Sequence, residues 1–341
     1  MIEISISAEN TKNIIEQLQY KIGGELLERW GECTLVLDNA IAKGTIKVIP
    51  FDWGVNLMIY DITFFEEVIL KIEATEFNPI RFIYNLQGQF FHRFGIQSKK
   101  ELIEQFQTLI FTNKTDGLNF LHFQKGVKIE TNIIQIIRKE FLKKRTTKVS
   151  TLNKKLQEIF VDTDHDNRFA HHGAINLKMA DDVKALHNIK KKGMLRILQI
   201  EAMVYKILSL HIQHYNVQSQ GVSLPTSLVK SELKRIRKLG EKILKNPSKD
   251  YNLEDLSQES GLSQAKLQDG FKFLYTRTVT EFIRHVRLEQ ARDLIKTTDL
   301  NISQIVYSIG FTSRSYFSKI FKEKFEISPN KFKKQIVDKV H

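Results

Sequence analysis

The chain has one cysteine, Cys33, and only five prolines in 341 residues. A single thiol closes no internal disulfide and, without a second cysteine, builds no ordinary structural zinc site. A buried, inert Cys33 is the reading that remains. No stretch approaches the roughly 20 apolar residues of a membrane-spanning helix. The start, MIEISISAEN, has no basic residue followed by an apolar segment, so no secretory leader is expected and a cytoplasmic location is. The signatures of common catalytic centres are missing as well: there is no Walker loop, no Gly-x-Ser-x-Gly elbow and no HExxH pair. Neither a metal site nor a cofactor motif is expected.

What is present is the composition of a folded protein, 42% hydrophobic and 27% charged, long enough for two or three domains of about 100 to 200 residues. The net charge of +13 is unevenly placed: residues 230–341 hold 23 Lys and Arg against 14 Asp and Glu. Clustered positive charge attracts polyanions, although basic surfaces also serve membranes and RNA. Charge alone leaves the partner open.

From residue 32 to about residue 123 apolar residues alternate or form short runs, as at 45–49, 55–59, 68–72 and 79–86. Period-two patterning separated by turn signals such as Asp52-Trp53-Gly54 and Thr115-Asp116-Gly117 predicts a small antiparallel barrel or sandwich. After Gly126 the spacing of Ile134, Ile137 and Phe141, then Leu152, Leu156 and Ile159, predicts a helical hairpin, and Met194 to Ile212 a long apolar helix. The domains are therefore expected at 1–125 (β-rich), 126–220 (helical hairpin and long helix), 221–229 (linker, with Pro225) and 230–341. The fold class is multidomain α+β, with an all-α C-terminal domain.

Residues 253–282 and 302–332 resemble each other. Leu253 and Leu256 match Ile302 and Ile305, and Ser260-Gly261-Leu262-Ser263 matches Ile309-Gly310-Phe311-Thr312, 49 positions apart. Leu267, Phe271, Tyr275 and Phe282 match Phe317, Phe321, Phe325 and Phe332 at 50 positions, so an extra residue intervenes. Each copy reads as helix-turn-helix. Asn252 and Asn301 cap the first helices, with Asp255 and Gln304 three residues on. Gly261 and Gly310 occupy turns that favour positive φ, and Ser263 and Thr312 cap the second helices. Thr278-Val279-Thr280-Glu281 is a capping box that opens a connecting helix.

The C-terminal segment, about residues 230–337, resembles the DNA-binding domain of the bacterial AraC/XylS transcription regulators. The likeness is carried by NISQIVYSIGFTSRSYFSKIFKEKFEISPNKF and by Arg287, Leu288 and Ala291 of the connecting helix. Thr276 and Glu326 stand where the family usually has glycine. The resemblance implies a ligand-responsive activator with double-stranded DNA and RNA polymerase as partners. Residues 120–215, with GMLRILQIEAMVYKILSLHI, are also similar to PchR-type regulators, which implies a small-molecule effector and a cupin-like barrel as its sensor. A cupin-type enzyme, or a DNA-modifying enzyme with this domain for delivery, is the alternative; no catalytic constellation supports either.

In such units the second helix enters the major groove, where its outward residues meet base edges and flanking groups hold phosphates. The first unit offers Gln264, Ala265, Gln268 and Asp269 to bases, with Ser263, Lys266 and Lys272 at phosphates. The second offers Ser313, Arg314, Ser315 and Lys319, with Thr312 and Lys322 at phosphates and Tyr316, Phe317, Ile320 and Phe321 in the core. Gln268 suits adenine and Arg314 guanine. Asp269 either accepts from cytosine N4 or pairs with Lys272.

Elsewhere, Phe82, Tyr84 and Phe91 follow an alternating pattern that lines either a ligand cavity or plain core. His92 and His122 lack the close His-x-His spacing of a cupin metal site. The run Asp162-Thr163-Asp164-His165-Asp166 has the spacing of a calcium loop but Asn167 and Gly173 at its decisive positions, so a solvated inter-helix loop is expected there. The 194–212 helix buries its apolar surface either within its domain or against a second copy, forming a homodimer.

Overall fold

The structure, a computed structural model, describes residues 1–219, 228–275 and 277–337. Most of the expected linker, and Thr276, fall outside these residues. The chain divides into two compact units, Met1–Val222 and Ser223–His341.

The first unit opens with β1 (Ile2–Ile6), α1 (Thr11–Ile22), β2 (Glu25–Arg29), β3 (Glu32–Asp38), β4 (Ala42–Phe51) and β5 (Val55–Phe64). It continues with β6 (Val68–Glu73), β7 (Ile80–Gln87), β8 (Phe90–Phe94), β9 (Glu101–Ile103), β10 (Gln107–Thr112), β11 (Leu118–Phe123) and β12 (Lys128–Ile136). After these come α2 (Arg138–Val149), α3 (Lys154–Val161), β13 (Phe169–Ile175), α4 (Leu177–His187) and α5 (Gly193–Ser219). One sheet runs β1-β6-β11-β8-β9 and the other β13-β10-β7-β12-β5-β4-β3-β2. The alternation that predicts strands is the alternation that fills the space between the sheets: Val68, Leu70 and Ile72 of β6 join Leu35, Leu37, Ile46 and Val48 in one core.

Several expectations are corrected. Among the described residues the sheets do not close into the cupin-like barrel expected of 1–125: each has two open ends, and β1 pairs with β6 in parallel. The break at 125/126 cuts the larger sheet, because β12 pairs with β5 through nine residues and also with β7. The spacing of Ile134, Ile137 and Phe141 imitates a helix there, but both faces of β12 are buried. A strand buried on both sides loses its period-two signature. The β-branched run Ile129 to Ile136 was the better signal. The helical hairpin begins only at α2.

The acidic run is a loop with Asp164, Asp166 and Asn167 exposed, as expected, but it joins α3 to a strand and not to a helix, and it is anchored at one end. Asp162 is buried and its carboxylate accepts from the N–H groups of Asp166 and Asn167, each at 3.0 Å, closing a turn that leads into β13. His171 and His172 belong to that strand.

A second core lies on the outer face of the larger sheet, where α2 to α5 cover Ile49, Leu57, Phe82, Tyr84 and Ile134. Helix α5 contributes Ile200, Val204, Ile207, Leu208, His211 and Tyr215, the residues of one helical face. Ile207 is thus core, whereas Met194, Leu195 and Leu198 are at least half exposed. No helix among the described residues is long and apolar enough to cross a membrane.

The second unit is helical throughout: α6 (Lys230–Lys245), α7 (Leu253–Ser260), α8 (Gln264–Tyr275), α9 (Val279–Thr297), α10 (Ile302–Ser308), α11 (Arg314–Phe325) and α12 (Pro329–Val337). The capping box at Thr278 forms with Glu281 and starts α9. This helix serves two cores. Phe282 meets Phe271 of α8 edge-on and Tyr275 at a tilt, while Leu288, Ala291 and Ile295 pack with Phe317, Ile320 and Phe321 of α11.

Candidate nucleic-acid interface

Each pair, α7 with α8 and α10 with α11, is held by the same local chemistry. Asn252 accepts from the Asp255 N–H and Asn301 from the Gln304 N–H, satisfying amides that a helix start leaves unpaired. Gly261 has φ of 63° and Gly310 of 84°, the left-handed conformation in which a Cβ is strained. At Gly310 a Cβ would also fall 2.7 Å from the Ser248 carbonyl oxygen. The second helices then start at serine caps: Ser263 accepts from the Lys266 N–H, and Ser313 from the Tyr316 N–H.

The cap of α11 is therefore Ser313 and not Thr312. The extra residue of the second copy sits inside the turn, so Gln264 corresponds to Arg314 and Lys266 to Tyr316, 50 positions on. One side chain ties this turn to the rest of the unit. Arg287 of α9 donates to the Gly310 carbonyl (2.8 Å), to Pro247 (2.8 Å) and to Lys249 (3.0 Å), with its guanidinium over the Phe311 ring.

Residues 256–335 match the family described as a helix-turn-helix domain. Among curated proteins the chain is similar to the HTH-type transcriptional regulator MtrA of Neisseria gonorrhoeae, at 27% identity over 136 residues, 40% of this chain and 45% of that protein. It is also similar to the HTH-type transcriptional regulator AlkR of Acinetobacter baylyi, at 34% over 89 residues, 26% of this chain and 29% of that protein. The C-terminal unit is a helix-turn-helix domain of the AraC type. A solved AraC-type DNA-binding-domain protein from Chromobacterium violaceum is 26% identical, with 31% of this chain and 91% of that one covered and a TM-score of 0.28. The chain spans less than half the length of MtrA or AlkR. The likeness therefore speaks for the domain.

In this AraC-type domain the side chains that face away from the core are unequal between the copies. On α11, Arg314, Ser315, Lys319 and Lys322 are exposed, as are Thr312 and Ser313 just before it. None of the three cations has an ion pair among the described residues. Tyr316, expected in the core, is 47% exposed and meets Phe311 edge-on. The corrected register shows why: its counterpart Lys266 already pointed outward.

On α8, Gln264, Ala265, Asp269 and Lys272 are exposed, as is Ser263 just before it, and Asp269 forms no ion pair with Lys272. Lys266 is drawn back to Glu232 of α6 at 2.7 Å. That hydrogen bond, with one from the Val229 N–H, holds the Glu232 carboxyl below the usual carboxylate range. Gln268 is half-buried, and its amide oxygen accepts from the Val279 N–H at the start of α9. Only its NH2 group remains for a base. Neither tie has a sequence signal, since Glu232 lies 34 residues from Lys266.

The three aromatic candidates of the first unit do not converge. Phe82 and Tyr84 are fully buried on the helix-covered face of the larger sheet, Phe82 beside Phe160 and His211 and Tyr84 donating to the Asn176 carbonyl at 2.7 Å. Phe91 is half-buried in the other sheet, in register with His122. His92 packs inward on Phe111, so His92 and His122 lie on opposite faces of their sheet and cannot share an ion.

Proposed function

We propose that this chain is a ligand-responsive transcription regulator, an activator, whose AraC-type domain sets α8 and α11 in two successive major-groove segments of double-stranded DNA. The observation that carries this reading is α11 itself. A capped, rigidly held helix presents Arg314, Lys319 and Lys322 unpaired on its outward face, the charge and geometry that a groove-reading helix needs. Gln264, Ala265, Gln268, Asp269, Ser313, Arg314, Ser315 and Lys319 are assigned to base edges. Ser263, Lys272, Thr312 and Lys322 are assigned to phosphates; Lys266 joins them by exchanging Glu232 for a phosphate.

The first unit is the sensor for a small-molecule effector, and RNA polymerase is the partner that an activator requires. Of the 194–212 helix only the stretch around Met194, Leu195 and Leu198 is free to meet a second copy. The test is selection of genomic fragments bound by the full chain, followed by titration at several salt concentrations. A short common sequence is expected, with log affinity falling linearly against log salt as counterions are released. Equal affinity for all fragments, or no salt response, refutes the reading.

A further inference from the structure

The helices cover the outer face of the larger sheet only in part. Lys43, Thr45, Lys47 and Ile49 alternate along β4 and share that face over roughly 20 Å. Where α4 and α5 meet the sheet, Ile49, Ile59, Leu186 and Ile200 enclose a cavity of about 100 Å³ with Lys47, His187 and Arg196 at its rim. Thr45 and Asp61 belong both to this cavity and to an open trough of about 440 Å³, which continues past Lys43, Thr63, Phe65 and Lys128. The result is one groove whose closed end brings four apolar side chains up against Lys47, His187 and Arg196, and whose open end runs out over the sheet.

Its lining holds four basic side chains and the carboxylate of Asp61, and three of the four cations are paired. Lys128 pairs with Asp61, Lys43 with Asp38 at 3.3 Å, and Arg196 with Glu32 through both carboxylate oxygens. Lys47 has no ion pair among the described residues. His187 Nε2 lies 3.0 Å from the Asn132 amide oxygen. The imidazole is neutral, because burial and then the Lys47 ammonium push its pKa down to about 4, and it donates to Asn132. Asn132 is 1% exposed and in register with Ile59, and its own NH2 group has no partner. A fully buried amide without an acceptor costs roughly 1 to 3 kcal/mol, so the layer beneath His187 is polar and imperfectly paired.

We infer that this groove is the effector site, and that it takes an elongate organic anion whose apolar end enters beneath α4 and α5 while its acidic group meets Lys47. The inference rests on the proposed regulator reading only for the word effector; the binding site stands on the groove itself. Coupling follows from Arg196. Besides Glu32, this side chain donates to the Ile189 carbonyl, so it fastens the start of α5 to β3 and to the loop before α5. An anion beside it competes with Glu32 and changes the hold on α5, a helix of 27 residues and about 40 Å. Such a difference in contacts between bound and free states is what lets a ligand shift an equilibrium.

The test uses anilinonaphthalene sulfonate, an aromatic anion, titrated by fluorescence into the full chain, with amide exchange followed by mass spectrometry. Binding should slow exchange in residues 43–49 and 193–200. Lys47→Glu should weaken binding at least tenfold, and Thr45→Trp, which fills the junction with a residue at home in a strand, should abolish it. Lys114→Glu, an exposed charge in another loop, should leave it unchanged. Thermal unfolding reports folding, and if Thr45→Trp does not fold, Lys47→Glu decides alone. Wild-type affinity in Lys47→Glu, or protection confined to other segments, overturns the site. DNA binding on the same samples separates the two readings: a chain that binds the sulfonate here but no DNA keeps the groove and loses the regulator.

Discussion

The two helix-turn-helix units of the C-terminal domain share an inner face and differ on the outer one. Both begin at an asparagine cap, turn at a glycine of positive φ, restart at a serine cap and bury a phenylalanine from the second helix, Phe271 or Phe321. Outside, α11 carries unpaired Arg314, Lys319 and Lys322. Helix α8 carries Asp269, and spends Lys266 on Glu232 and the Gln268 oxygen on Val279. Inward residues decide that a helix is presented; outward residues decide what it is presented to. On the proposed reading the second unit is the electrostatic anchor and the first a weaker reader stiffened by its own contacts.

The strongest way to break this comparison is to loosen the turn of the second unit. Arg287→Ala deletes three hydrogen bonds from a charged donor, leaving the Gly310, Pro247 and Lys249 carbonyls to find other partners. A loss of roughly 2 to 4 kcal/mol is expected, since such bonds contribute about 1.5 to 3 kcal/mol each but water reaches part of the site. Urea unfolding of the C-terminal transition measures it. A change under about 0.5 kcal/mol would mean that the two cores hold the turn without Arg287.

Next in size is the matched pair Arg314 and Gln264. Arg314→Ala should cost about 1 to 3 kcal/mol of DNA affinity and relax the choice of one base pair. Gln264→Ala, at the equivalent place in α8, should cost less. Lys322→Ala should weaken all sequences alike and lower the salt slope by about one. Equal losses for Arg314→Ala and Gln264→Ala, measured by anisotropy on the selected site, would erase the asymmetry.

Much of this domain was legible because its signals are local. Caps, turn glycines and the apolar spacing of α7 to α11 all act within a few residues, and the internal repeat doubled each signal. What escaped was non-local or a matter of one residue. The inserted residue could sit before or after the cap, which moved the cap from Thr312 to Ser313 and put Tyr316 on the outside. Gln268 and Lys266 look free until Val279 and Glu232 are brought to them by the fold. In the first unit alternation and short apolar runs revealed strands, even β7, which is buried on both faces, whereas β12, buried on both but interrupted by Glu130, Asn132 and Gln135, read as helix. The groove on the outer face was invisible, since Lys47, His187 and Arg196 meet only when α4 and α5 cross β4.

Acid should sharpen the contrast by a smaller amount. His285 of α9 accepts from the Lys324 ammonium through Nδ1 at 2.9 Å, and Lys324 also pairs with Glu289 at 2.6 Å, fastening α11 to α9. Burial, then Lys324 and Arg277, push the imidazole from 6.5 down to about 4. A folded pKa below the unfolded one means that the neutral form is favoured by folding. Its contribution is present above about 6.5 and is lost as pH falls toward 4. Solvent screening at this half-buried site limits the effect. Stability of the C-terminal transition should therefore decline over that window, and His285→Gln, which keeps an acceptor but cannot titrate, should flatten the decline. An unchanged slope would place the acid sensitivity elsewhere.

The smallest predicted change tests the end of α11. Glu326 has φ of 62° and its N–H bonds to the Lys322 carbonyl at 2.8 Å, so it closes the helix in the left-handed conformation that favours glycine. For a residue with a Cβ this conformation costs about 1 to 2 kcal/mol. Glycine removes the strain but frees the unfolded chain, which takes back about 0.4 to 1 kcal/mol. Glu326→Gly should therefore stabilise the domain by roughly 0.5 to 1 kcal/mol. Removing a carboxylate from the end of the groove-facing helix should also strengthen DNA binding slightly at low salt and not at high salt, because the repulsion is screened. In α8 the outward carboxylate is Asp269, at the place of Lys319, and Asp269→Asn should alter base preference before it alters the salt response. If Glu326→Gly destabilises instead, the glutamate makes a compensating interaction in the folded domain, and the two helix ends are less alike than their turns.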